Sequence, residues 1–135
     1  MIKFRENFSE INLLSEGVDP VNFKIIGSYL YRDDYNDIDI VTDDIETGWK
    51  IRKNAKKNGI KVQIVFSSRD EFLDIEDLLT FRNTAFSYWN GSYRFGDCYI
   101  ESDKLEFNNN SLKKFKNSKV IFTEINKMLK RGFTL

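Results

Sequence analysis

Residues Ile25 to Asp43 read IIGSYLYRDDYNDIDIVTD, and the order of the parts decides the fold. An apolar strand, expected over Asn22–Ile26, runs into Gly27-Ser28. After a spacer ending at Asn36, a second strand is expected over Asp37–Thr42, where Ile38, Ile40 and Val41 carry β-branched side chains. Side chains at i and i+2 of a strand share a face, so Asp37 and Asp39 stand together while Ile38 and Ile40 turn into the core. Glycine permits a tight turn and close approach of a phosphate to the backbone. Ser28 would present its hydroxyl and amide at the start of a short helical turn, where N–H groups favour anions. Two carboxylates at that spacing suit Mg²⁺ (or Mn²⁺), usually held by one or two carboxylates plus substrate phosphates.

The flanking sequence supplies the rest of a sheet domain. Upstream, Phe8, Ile11 and Leu14 give a helix over Glu6–Glu16 one apolar face, and Pro20 lies in the turn that follows. Downstream, Asp43 or Asp44 caps a helix running to about Lys57, with Gly59 as its stop. Ile60–Phe66 reads as a third strand. Ser68 can cap a helix reaching about Phe81, with Phe72, Ile75, Leu78 and Leu79 inward. Asn90-Gly91 between Phe86–Trp89 and Tyr93–Phe95 signals a hairpin. Cys98–Glu101 and Leu105–Phe107 suggest another short pair around Ser102-Asp103. Ser118 begins a last helix with Ile121, Ile125, Met128 and Leu129 as its buried stripe. The expected class is α/β (α+β): a mixed β-sheet flanked by helices, with an aromatic-rich β extension and a C-terminal helix, in one domain over 1–135.

The Gly-Ser followed by Asp-x-Asp between apolar residues resembles the nucleotidyltransferase superfamily related to DNA polymerase β. The likeness extends over about Asn22–Ser67, a third of the chain. In that family a helix and a strand bearing a third carboxylate come next, and Lys61-Val62-Gln63-Ile64-Val65 stands in register with that strand. The resemblance implies transfer of a nucleoside monophosphate from a nucleoside triphosphate to a hydroxyl on a small molecule, a protein or an RNA end. It implies Asp37 and Asp39 as catalytic metal ligands, and Gly27 and Ser28 on the phosphates. Arg32 or a lysine would steady the triphosphate. Gln63 occupies the third-acid position and cannot supply its charge, so Asp33, Asp34, Asp70 or Glu71 would have to be brought round to replace it. The departure favours a second expectation, a catalytically impaired module that binds a nucleotide, RNA or protein partner. Analogy with minimal members of the family adds a toxin–antitoxin pair with a small helical partner.

Composition narrows the chemistry. The 135 residues include no histidine, which excludes His–Cys zinc sites, Ser–His–Asp triads and a histidine general base. A lone Cys98 excludes an internal disulfide and fits a reducing compartment. The first residues, MIKFRENFSE, carry charge where a leader needs an apolar stretch, so the expectation is a cytoplasmic protein without membrane contact. The zero net charge hides an uneven spread: Asp33–Glu46 holds acids and no base, Lys50–Lys61 bases and no acid. The segment after Asn108 is basic through Lys113, Lys114, Lys116, Lys119, Lys127, Lys130 and Arg131, against Glu124 alone. Phe86, Tyr88, Trp89, Tyr93, Phe95 and Tyr99, with Arg82 and Arg94, suit either strand core or a stacking surface for bases.

Overall fold

The computed structural model describes residues 2–109 and 118–135. Lys113, Lys114 and Lys116 of the basic C-terminal segment lie outside the described residues. The sheet has five strands: β1 (Lys24–Ile26), β2 (Ile38–Thr42), β3 (Val62–Phe66), β4 (Phe86–Trp89) and β5 (Ser92–Phe95). Their order is β3-β2-β1-β4-β5. Only the β2–β3 pair is parallel, because the helix α2 (Ile45–Asn58) carries the chain back between them. Among the described residues the further named α-helices are α1 (Ser9–Leu14), α3 (Arg69–Leu73) and α4 (Ser118–Lys130). This is the mixed sheet with flanking helices that the sequence led us to expect.

The period-2 pattern of β2 divides two cores. Ile38 and Ile40, fully buried, face α1 and α2 and join Ile11, Leu14, Ile25, Ile51 and Ala55. Val41 faces the other way and packs with Ile26, Phe72, Ile75 and Leu79. Asp39 shares that second face by its i, i+2 relation to Val41. The ends of α2 follow their local chemistry. The Asp44 side chain accepts from the Thr47 amide, and Gly59 adopts a left-handed conformation at the far end. Asn90 and Gly91 both take positive φ, which matches the twist of a two-residue hairpin turn between β4 and β5.

Three expectations fail for physical reasons. The first helix is shorter than Glu6–Glu16, because the preceding chain lies along the domain, with the Arg5 amide donating to the Leu30 carbonyl. The helix begun at Ser68 does not reach Phe81. A capping box of Ser68 and Glu71 starts it, but Asp74 leaves helical geometry and caps a separate 3₁₀ turn at Ile75–Leu78. The buried Lys24 ammonium satisfies the carbonyls of Phe72 and Leu73 at the break. Finally, Cys98–Glu101 and Leu105–Phe107 do not pair as strands. The buried Asn83 side chain takes the place of a ladder, donating to the carbonyls of Ser102 and Lys104 at 2.7 and 2.8 Å and accepting from the Glu106 amide at 3.0 Å.

In the aromatic segment Phe86 is buried in the core, Tyr88, Trp89, Tyr93 and Tyr99 pack half-buried against it, and Phe95 is exposed. Phe86, Tyr93, Phe95 and Tyr99 pack edge-on or tilted against one another and against Phe4. Trp89 donates its indole N–H to the Val21 carbonyl and carries Lys24 and Arg94 over its ring. No helix among the described residues is long and apolar enough to cross a membrane. Asn83→Ala leaves three backbone groups without their partner; we expect a loss of about 2–3 kcal/mol, read as a lower urea midpoint at unchanged slope.

Candidate functional site

The antiparallel pairing of β1 with β2 sets Ile26 opposite Asp39. The chain therefore turns at Gly27 directly beside the Asp39 carboxylate. Gly27 holds φ +86°, and a Cβ built there would stand 2.5 Å from Asp39 Oδ2. No residue with a side chain fits that position without moving the acid. Ser28 follows as the first residue of a 3₁₀ turn, Ser28–Leu30. The structure thus brings Gly27, Ser28 and Asp39 into one pocket.

Asp37 joins them electrostatically. Burial raises the Asp39 carboxyl pKa to about 6, and the nearby Asp37 carboxylate pushes the same way. Lys127 and Arg131 pull it down. Asp39 Oδ1 is buried and has no hydrogen-bond partner, which is costly for an acid unless something else meets it. Gln63 lies in register with Asp39 on the parallel neighbour β3, on the same face, and is exposed. It does not line the pocket that holds Gly27, Ser28 and Asp39.

Arg32 is not part of this pocket. Its guanidinium grips Asp34 through Nε at 2.8 Å and Nη2 at 2.9 Å. It lines a neighbouring pocket of about 330 Å³, which shares Tyr31 and Arg131 with the first. Asp33, Asp34, Asp70 and Glu71 are absent from the residues around Asp39, so none of them replaces the third acid there.

Sequence reasoning missed the other wall. Glu124, Lys127, Met128 and Arg131 of α4 and its end line the pocket from above. Their spacing of i, i+3, i+4 and i+7 is one helix face, so the signal was present. The expected stripe of Ile121, Ile125, Met128 and Leu129 is only partly right: Met128 is buried with Phe81 and Phe133, while Leu129 is 37% exposed.

The arrangement fits a divalent cation. The pocket offers the Asp39 carboxylate, with one unpartnered buried oxygen, and Ser28, while the Asp37 carboxylate acts on Asp39 without lining the pocket. Among the described residues no cluster of three or more acidic, Cys or His side chains forms, so remaining coordination positions would fall to water or a ligand's oxygens.

The raised pKa has a stability consequence with a fixed sign. The folded chain holds the Asp39 proton up to about pH 6, the unfolded chain only to 3.8. Asp39 therefore destabilises the metal-free fold fully above about pH 6, and the penalty fades as pH falls toward 3.8. Asp39→Asn should raise the metal-free melting temperature by a few degrees at neutral pH, with the gain shrinking on acidification through that window. A gain that does not vary with pH would count against the raised carboxyl pKa of Asp39. No family model, no curated protein and no solved structure matches this chain.

Proposed function

We propose that the chain is a Mg²⁺- or Mn²⁺-dependent nucleotidyltransferase, moving a nucleoside monophosphate from a nucleoside triphosphate to a hydroxyl acceptor. The observation that carries the reading is the unpartnered, buried Oδ1 of Asp39, beside Asp37 and packed on the Gly27-Ser28 turn. A carboxylate is kept in so unfavourable a place when a bound cation offsets the cost. Asp37 and Asp39 would hold the metal. Gly27 gives the carboxylate room, and Ser28 offers its hydroxyl to a phosphate oxygen.

The bound metal supplies neutralisation of the triphosphate and activation of the attacking hydroxyl. In the transfer the acceptor oxygen bonds to the α-phosphorus, the α–β anhydride bond breaks, pyrophosphate leaves, and the acceptor proton is lost. The chain's own contribution is positioning and charge. A cytoplasmic setting, where triphosphates and Mg²⁺ are at hand, accords with the reading.

The position of Gln63 favours a second reading, a binding module that retains the nucleotide site without turnover. Gln63 stands in register beside Asp39 where the resemblance expects an acid. Such a module could serve an RNA or protein partner, including the small helical partner of a toxin–antitoxin pair.

Two measurements separate the readings. Calorimetric titration of nucleoside triphosphate should show binding that requires Mg²⁺ and disappears in the Asp37→Ala, Asp39→Ala double variant; binding indifferent to both changes would overturn the proposal. Gln63→Asp tests the module: turnover gained from none identifies a lapsed enzyme, whereas turnover already present in the parent identifies a working one.

A further inference from the structure

The pocket has charge of opposite sign on its two walls. On the sheet side stands Asp39, with Asp37 adjoining it. On the helix side stand Lys127 and Arg131, one turn apart, with Glu124. Both cations lie near enough to Asp39 to act on its carboxylate. Neither is spent on it. The Lys127 ammonium lies 3.4 Å from Glu124, Arg131 Nη1 donates to the Tyr31 hydroxyl at 3.1 Å, and Asp39 Oδ1 stays unpartnered. The walls face each other across a pocket of about 180 Å³.

Paired acids alone would call for a cation, and paired bases alone for an anion. Acids facing bases across a gap call for a ligand that carries positive charge at one side and negative charge at the other. A polyphosphate with its divalent cation has that form. The volume agrees: pockets that bury a whole small ligand start at roughly 300 Å³, so a space of about 180 Å³ accommodates a phosphate tail and leaves the nucleoside outside.

We infer that Lys127 and Arg131 bind the phosphate tail, so that the site selects a metal-bound triphosphate over a monophosphate with little regard to the base. Tyr31 is the positioning residue, holding the guanidinium of Arg131 through its hydroxyl. The Lys127–Glu124 pair is half-exposed and only 3.4 Å close, so it yields readily to a phosphate. This inference rests on the nucleotidyltransferase reading for the metal at Asp37 and Asp39, but it concerns different residues and so can fail separately.

The test uses the full chain with Mn²⁺ and inorganic triphosphate as probes. Mn²⁺ binding is followed by its paramagnetic resonance, and triphosphate, nucleoside triphosphate and nucleoside monophosphate binding by calorimetry. We expect inorganic triphosphate to compete with nucleoside triphosphates of any base, and the monophosphate to bind far more weakly. Lys127→Ala and Arg131→Ala should each weaken triphosphate binding roughly tenfold or more, while Mn²⁺ binding measured without triphosphate persists in both. Arg131→Lys, which keeps the charge and loses the fork that meets Tyr31, should fall between. Triphosphate affinity unmoved by both alanine variants, with Mn²⁺ still bound, overturns the inference alone. Mn²⁺ binding that is absent, or indifferent to Asp39→Asn, overturns the metal site itself.

Discussion

The antiparallel registration of β1 on β2 is the constraint from which the site follows. With Ile26 opposite Asp39, the backbone has to turn at Gly27 over the carboxylate, and the 2.5 Å that a Cβ would leave admits no other residue. The same pairing puts Ile25 and Ile40 into the α1–α2 core and Ile26 and Val41 into the opposite one. Two hydrophobic cores thus hold one polar spot in place. Burial of those β-branched side chains contributes on the order of 1.5–3 kcal/mol each, so the acid cannot escape by a register slip, which would turn every side chain to the wrong face.

That spot is held against its own electrostatics. Asp39 is half-buried, has the Asp37 charge beside it, and keeps one buried oxygen, Oδ1, without a partner. An apolar residue there would make a better metal-free fold. Strain of this kind concentrates where a ligand relieves it. The α4 wall tempers the strain at a distance: Lys127 and Arg131 lower the carboxyl pKa without closing on it, and Met128 anchors the helix between them against Phe81 and Phe133. The helix therefore packs through one residue of the face that lines the pocket with charge.

Elsewhere, buried polar side chains replace regular structure. Asn83 ties down the chain around Ser102 and Lys104, and Lys24 closes the end of α3 while lying over the rings of Phe72 and Trp89. Its ammonium pKa is lowered by that burial. Both residues look like ordinary surface polars in the sequence. Their partners are carbonyls far along the chain, and no local pattern announces them.

The sequence by itself determined whatever has a short-range cause. Period-2 alternation at Ile38–Val41 set the strand and turned Asp39 away from the core that holds Ile38 and Ile40, although the strand begins one residue after Asp37. Asp44 and Gly59 marked the ends of α2, Ser68 the start of α3, and Asn90-Gly91 the hairpin, since each acts within a few residues of backbone. The tertiary structure alone decided what crosses the chain. Arg32 was spent on its neighbour Asp34 and turned to the adjoining pocket, whereas Lys127 and Arg131, about a hundred residues after Ser28, came to stand over it. Charge and spacing are written along the chain, but which charges face one another depends on how helices settle on a sheet, and that is fixed by packing among residues remote in sequence.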